Sequence, residues 1–238
     1  MGRAFGFAQF LGQFPQHRRI AIDRPDRLAV YSYAHVPWLK KPQRVLAAHL
    51  PEGTEKFAIF VSGIERFSEA GYVYIGMDHF ALPHDEIARA QEDRTLWRNF
   101  QGYTTDTAPY LLGFGASAIG RTPHGYMQNE ADERRWLAAV QAGRLPIARG
   151  RALSEEDRLR GALIERVMCD AASALDAIPP AVLADAAPRI DGLLADRLLR
   201  RADGRLAVTE AGRPFLRHFA ACFDAFLAPA AGRHSAAV

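Results

Sequence analysis

"RLAVYSYAHVP" (residues 27–37) is the stretch on which the fold turns. Residues 28–33 form a continuous run of strand-favouring side chains, and Pro37 ends it. A run without polar alternation marks a strand covered on both faces, as in a parallel sheet. In residues 54–70, Phe57, Phe60, Val61, Ile64 and Phe67 are spaced to put one apolar stripe along a helix, with Gly71 as its stop. "YVYIGM" (residues 72–77) then reads as a second strand. Strand, helix and strand predict a βαβ unit with a right-handed crossover. Parallel α/β folds gather function at the carboxyl ends of their strands. Those ends are Ala34 and His35 in one case and Asp78 and His79 in the other, so the unit predicts all four on one rim.

Composition sets the outer limits. With 49% hydrophobic and 24% charged residues, the 238-residue chain can build one large core or two smaller ones. No apolar run reaches the roughly 18 residues of a membrane span, so no membrane partner is expected. Residues 1–23 lack the sustained apolar stretch and small-residue cleavage site of a signal peptide. Lys and Arg total 30 against 27 Asp and Glu, and no basic run is interleaved with aromatic residues. That argues against a nucleic-acid partner. The two cysteines, Cys169 and Cys222, fall in apolar helical patterns, as expected of thiols in a cytoplasmic protein. An iron–sulfur cluster needs about three or four thiolates, more than this sequence holds. His35, His79, His84 and His124 show no metal-binding spacing, and no metal ligand is assigned.

Residues 84–96 read as a helix with Asp85 and Glu86 in its first turn. "RNFQGYTT" (residues 98–105) alternates too poorly for an amphipathic strand and holds too much Gly and Thr for a helix. "GFGASA" (residues 113–118) fits G-x-G-x-x-A formally, yet no buried strand feeds it and no clear helix leaves it to cradle a phosphate. Its glycines still allow a ligand to approach the backbone closely. Ser117 does not stand in G-x-S-x-G. A strand pair is expected within residues 116–128. Asn129 should cap a helix carrying Trp136, Leu137 and Val140 and stopped by Gly143. A domain boundary is expected within residues 145–152. Ser154 and Asp157 then make a capping box for a helix buried along Leu159, Leu163 and Val167. Another helix spans about residues 181–194. "LLRRADGRLAVT" (residues 198–209) reads as a hairpin turning at Asp203-Gly204. The last helix should start near Thr209 and bury Phe215, Phe219, Cys222, Phe223 and Phe226. Helices, a two-stranded wing and a final helix suggest a winged-helix-like packing module, without the basic recognition helix of a DNA reader.

Five segments carry a resemblance: "YSYAHVP" (31–37), "GYVYIGMDHFALP" (71–83), "RNFQGYTT", "GFGASAIG" (113–120) and "YMQN" (126–129). Together they resemble the oxygen-independent coproporphyrinogen III oxidases, radical S-adenosylmethionine (SAM) enzymes of haem biosynthesis, from about residue 24 to residue 227. The resemblance implies an α/β fold. Residues 24–148 would be the last part of a partial (β/α) barrel. Residues 149–238 would be a mostly helical C-terminal domain with a small winged-helix-like hairpin, and residues 1–23 an atypical lead-in. It implies SAM and a [4Fe–4S] cluster as cofactors. It implies coproporphyrinogen III as substrate, with two propionates oxidatively decarboxylated to vinyl groups to give protoporphyrinogen IX.

The resemblance also implies a SAM pocket lined by Ala34, Phe100, Gln101 and Ile119. Asp78 and His79 are candidates to orient substrate or carry a proton, and Arg121 is a candidate to grip its carboxylates. The family's C-x-x-x-C-x-x-C motif and the Gly-rich segment after it are absent from these residues. The expectation is therefore a truncated form, the C-terminal half, inactive alone. It would need a complementing N-terminal barrel half or would self-associate through the uncovered edge of strand 28–33. The alternative is a non-catalytic remnant that binds porphyrin or a partner.

Overall fold

A computed structural model describes residues 24–51 and 53–227, so the lead-in at 1–23 lies outside it. The chain divides into two compact units, one running through Arg89 and one starting at Ala90.

The first unit contains β1 (Arg27–Ala29), α1 (Gly53–Glu69), β2 (Val73–Gly76) and β3 (His79–Ala81), and α2 (Glu86–Glu92) spans the division. The strand–helix–strand order is as predicted, but the pairing is not. The sheet order is β1-β3-β2 and both pairs are antiparallel. β1 and β2 do run the same way, with β3 between them. The cause is a sharp turn after β2. Gly76 (φ 150) and Met77 (φ 54) reverse the chain, so "HFA" returns between the two expected neighbours.

The core of this unit is Tyr72, Tyr74, Phe80 and Leu82, with Leu28 and the α1 residues Phe60, Ile64 and Phe67 packed against it. The ring of Phe80 lies 4.9 Å from Phe67 and 5.2 Å from Tyr74, so the predicted helical stripe supplies one aromatic wall. Arg27 joins β1 to the start of α2. Its Nε donates to Asp85 at 2.7 Å and its Nη2 to Glu86 at 2.6 Å. Asp85 is buried and its second oxygen accepts from the Ile87 N–H at 2.8 Å, which pairs a carboxylate that would be costly to bury alone.

The second unit opens with β4 (Trp97–Asn99) and β5 (Gly102–Thr104), an antiparallel hairpin. "RNFQGYTT" thus lies in a strand–turn–strand hairpin. β6 (Ile119–Thr122), β7 (Gly125–Asn129) and β8 (Ile147–Ala152) form a three-stranded antiparallel sheet, with α3 (Glu133–Gln141) between β7 and β8. The expected connection at 145–152 therefore contains a strand hydrogen-bonded along β7. Asp132, not Asn129, caps α3: its side chain accepts from the Arg135 N–H at 3.0 Å. Leu137 and Val140 of that helix are exposed, and Ala139 is its buried residue.

α4 (Glu155–Asp170) begins with the predicted capping box. The Ser154 N–H donates to Asp157 at 2.9 Å and the Asp157 N–H to the Ser154 hydroxyl at 3.1 Å. The Ser154 backbone bond, then the hydroxyl, hold the Asp157 carboxyl below its usual range. A depressed carboxyl stabilises the fold above its unfolded pKa, and that contribution is lost as pH falls through the folded value. Asp157→Asn should remove this acid-side fall in melting temperature while leaving a folded helix.

β9 (Ala172–Ala174), α5 (Pro180–Ala195), β10 (Leu199–Ala202), β11 (Arg205–Val208) and α6 (Leu216–Ala221) complete the unit. The β10–β11 hairpin turns at Asp203 (φ 51) and Gly204 (φ 69), both left-handed as a type I′ turn demands. β9 pairs on the far side of β11, so the predicted two-stranded wing is a three-stranded sheet. The predicted long final helix is shorter, because Pro214 sits in a 3-10 turn (Arg213–Phe215) ahead of α6. Phe219, Cys222 and Phe223 are buried as expected, while Phe226 is 57% exposed. Leu96, Val167, Ile190, Leu206, Phe219 and Phe223 are among the most deeply buried side chains of this unit's core.

Candidate functional site

The hairpin explains what "RNFQGYTT" is for. Asn99 pairs with Gly102, so Phe100 and Gln101 are the two residues of the turn. The Asn99 side chain accepts from the Gln101 N–H at 2.8 Å, and Gly102 takes φ 147, a conformation open to glycine. The turn lifts both side chains into solvent: Phe100 is 46% exposed and Gln101 is exposed. The base of the hairpin is fixed to α4. The Glu165 carboxylate accepts from the Arg98 N–H at 3.2 Å, the Tyr103 hydroxyl donates to the Met168 carbonyl at 3.0 Å, and Arg166 donates to the Leu96 carbonyl. The stem is anchored and the tip presents an aromatic face and an amide that can donate and accept.

Ile119 opens β6, directly after the Gly-rich loop. Asn129 holds that loop: its Nδ2 donates to the Gly113 carbonyl at 3.1 Å and the Gly115 carbonyl at 2.9 Å. That task occupies the side chain expected to cap α3. Gly113 has no space for a side chain, since a Cβ there would meet the Ile119 carbonyl oxygen at 2.8 Å. The glycine thus sets how closely the loop lies against Ile119.

In the first unit, the Val30 N–H donates to the Asp78 carbonyl at 2.7 Å, which extends the β1–β3 pairing by one residue past Ala29 and His79. β3 separates β1 from β2, so the parallel pair on which the predicted rim rests is not formed. The His79 and Asp78 side chains approach to 2.7 Å, within ion-pair distance but off the line of a hydrogen bond. Tyr31 meets His79 edge-on at 6.3 Å. Further along, Gln43 clamps the segment holding Ala34. Its Nε2 donates to the Ala34 carbonyl at 3.1 Å and its Oε1 accepts from the Val36 N–H at 2.6 Å. Ala34 itself is exposed. Ala34, Asp78 and His79 thus belong to the first unit, and Phe100, Gln101 and Ile119 to the second. Sequence reasoning missed Gln43 and Asn129, the side chains that hold two of these segments; for Asn129, the signal was an amide placed after a run of glycines.

The exposed tip and the shaped loop offer a ring face, an amide and close backbone approach to an organic ligand. The cysteines do not fit a cluster. Both are buried, Cys169 in α4 and Cys222 just after α6, and burial pushes the Cys169 thiol up to about 12 and the Cys222 thiol upward as well. Among the described residues no group of three or more His, Cys, Asp or Glu side chains is placed to hold a metal ion. Thiolate is the reactive form, so neither cysteine should react with a thiol reagent near pH 8 until denaturant is added. Rapid labelling of either in the native state would contradict this burial.

A second-unit cavity of about 710 Å3 lies beside the hairpin tip, bordered by Phe100, Arg121, Tyr126, Arg151 and Phe226 among others. No helix among the described residues is long and apolar enough to cross a membrane.

No protein-family model matches the chain. An oxygen-independent coproporphyrinogen III oxidase of Bradyrhizobium diazoefficiens is 45% identical over 228 residues, 93% of this chain and 51% of that protein. The Pseudomonas aeruginosa protein of the same name is 39% identical over 86% of this chain and 46% of its own length. The solved structure of coproporphyrinogen III oxidase from Escherichia coli, a radical SAM enzyme, superposes with a TM-score of 0.82 at 35% identity. It covers 89% of this chain and 50% of that one. The chain spans about half the length of the relatives it matches, and over that half it fits the C-terminal part of the oxygen-independent coproporphyrinogen III oxidases.

Proposed function

We propose that these residues form the C-terminal part of an oxygen-independent coproporphyrinogen III oxidase, closing one side of the active site and completing a partial (β/α) barrel. The reaction is oxidative decarboxylation of two propionates of coproporphyrinogen III to vinyl groups, giving protoporphyrinogen IX. The observation that carries the reading is the 45% identity over 228 residues, a span that includes both "GMDHFA" and "RNFQGYTT".

In this reading Ala34, Phe100, Gln101 and Ile119 line the SAM pocket. Phe100 offers a ring face, Gln101 an amide, and the exposed Ala34 a backbone edge fixed by Gln43. SAM and a [4Fe–4S] cluster supply radical chemistry when bound. The thiolates for the cluster come from outside these 238 residues, which hold only two cysteines, both buried. His79, held beside Asp78, orients the substrate or exchanges a proton with it. The complementing half packs on the first unit at β1, an edge strand among the described residues, where Val30, Tyr31 and Tyr33 are exposed. The division into 24–148 and 149–238 belongs to the same proposal.

The test is complementation in trans. This chain is mixed anaerobically with a polypeptide carrying the other half of the Bradyrhizobium relative, plus reductant, SAM and coproporphyrinogen III. The mixture should form protoporphyrinogen IX and this chain alone should not. No product from the mixture, where the full-length relative turns over, would overturn the reading.

A further inference from the structure

The second-unit cavity has a composition that the oxidase reading does not itself require. It is bordered by Trp97, Phe100, Tyr110, Tyr126 and Phe226, each at least 38% exposed. Among the described residues, these are five of the six exposed aromatic side chains of the second unit, the sixth being Phe114. Exposed aromatic area gathered in one concavity, rather than scattered, marks a ligand surface. At about 710 Å3 the cavity is within the range of small-molecule sites.

The charged groups are just as ordered. Arg121 in β6 stands opposite Tyr126 in β7, and Tyr126 stands opposite Arg151 in β8. Side chains directly opposite in a sheet share a face, so Arg121, Tyr126 and Arg151 form one row. Two strand spacings separate the arginine backbones by roughly 10 Å. Ile119, Gln128 and Arg149 form the neighbouring row of the same face, because each is two residues from a member of the first. The proposed SAM-pocket residue Ile119 therefore adjoins the arginine row.

Most other polar groups around the cavity have structural work. Arg160 binds Glu156 and Asp185, and Arg158 donates to the Leu153 carbonyl. Asp106, Asp157 and Asp224 accept from backbone N–H groups. Arg151 stacks on Phe226 at 3.9 Å and has no carboxylate in ion-pair contact among the described residues. Arg121 lies 3.7 Å from Glu165, which leaves donors of its five-donor fork for a ligand.

We propose that this cavity is the tetrapyrrole subsite. The aromatic wall takes the macrocycle, and Arg121 and Arg151 each take a propionate carboxylate, with Tyr126 between them. The inference rests on the oxidase reading for the substrate's identity, and on the Arg–Tyr–Arg row for its placement. A spacing of roughly 10 Å suits two carboxylates carried on different side arms of one macrocycle better than two on a single small acid. Arginine is the side chain suited to such carboxylates because its fork donates two parallel hydrogen bonds.

The probe is coproporphyrin III, the stable oxidised macrocycle, with its tetramethyl ester as the uncharged control. Both are titrated into the full chain by fluorescence. The free acid should bind, and Arg121→Gln and Arg151→Gln should each weaken it by about tenfold to a hundredfold. The ester should bind weakly and be indifferent to both substitutions. Circular dichroism and the melting midpoint should stay unchanged, since both side chains are partly exposed. Equal binding of acid and ester, unaltered affinity in both variants, or no porphyrin bound would overturn the proposal. The two readings fail separately. Arginine-dependent binding without product in the complementation assay overturns the oxidase and leaves the subsite. Product formation with unaltered KM in both variants overturns the subsite and leaves the oxidase.

Discussion

Phe219→Ala should lower stability by about 3–5 kcal/mol, the range for truncating a buried aromatic side chain. Phe219 is 1% exposed and meets Phe223 edge-to-face at 5.6 Å between ring centroids. α6 has six residues, too few for helical hydrogen bonds to sustain it alone, so side-chain packing keeps it in place. Alanine would leave a void beside Phe223 that the short helix cannot close without losing its own contacts. Urea unfolding should show a lower midpoint with the slope unchanged, and the melting midpoint should fall by about 10–20 °C. Leu137→Ala, at an exposed position on α3, should change stability by less than about 0.5 kcal/mol. A small effect at Phe219 would contradict the packing described for α6.

Gly113→Ala should damage the loop that sets the position of Ile119. The added Cβ would meet the Ile119 carbonyl oxygen at 2.8 Å and its carbon at 2.9 Å, both backbone atoms that cannot rotate away. The Asn129 bonds to Gly113 and Gly115 resist a shift of the loop, so the strain passes into β6. A cost of about 1–3 kcal/mol is expected, as for other overpacked positions. Ile119 would move, and SAM affinity of the complemented assembly should fall more than for Gly143→Ala, where a Cβ meets nothing but a left-handed backbone is strained. Unchanged affinity in Gly113→Ala would mean that Ile119 is not a pocket residue.

Much of the local structure was legible because its signals are local. Ser154 and Asp157 lie three residues apart and satisfy each other's backbone. Asp203-Gly204 meets the two left-handed positions of a tight hairpin. The stripe of α1 is a periodic signal repeated over several turns. The pairing of β1 and β2 was not legible. β3 has three residues, and three residues carry no measurable alternation. β8 ("IARGRA") is exposed at every position, so its pattern holds no buried face to betray a strand. Pro214 was the overlooked mark that shortens the last helix.

At the candidate site, residue types were legible and geometry was not. Phe100 and Gln101 were picked out by resemblance, while their position in a two-residue turn follows from Asn99 and Gly102 on either side. That flanking pair, an Asx-turn acceptor before and a permissive glycine after, was present in "RNFQGYTT" and points to a hairpin. Arg151 gave no sign of its role. It becomes a partner of Arg121 only when three strands, far apart in sequence, come into register.

The most direct measurement is the iron content of this chain after anaerobic reconstitution with iron and sulfide. The chain is predicted to stay colourless, with iron well below one per chain, because its two thiols are buried and held protonated. About four irons per chain, with the broad visible absorption of a thiolate-bound cluster, would contradict the claim that these residues supply the SAM and substrate side and leave the cluster to another segment.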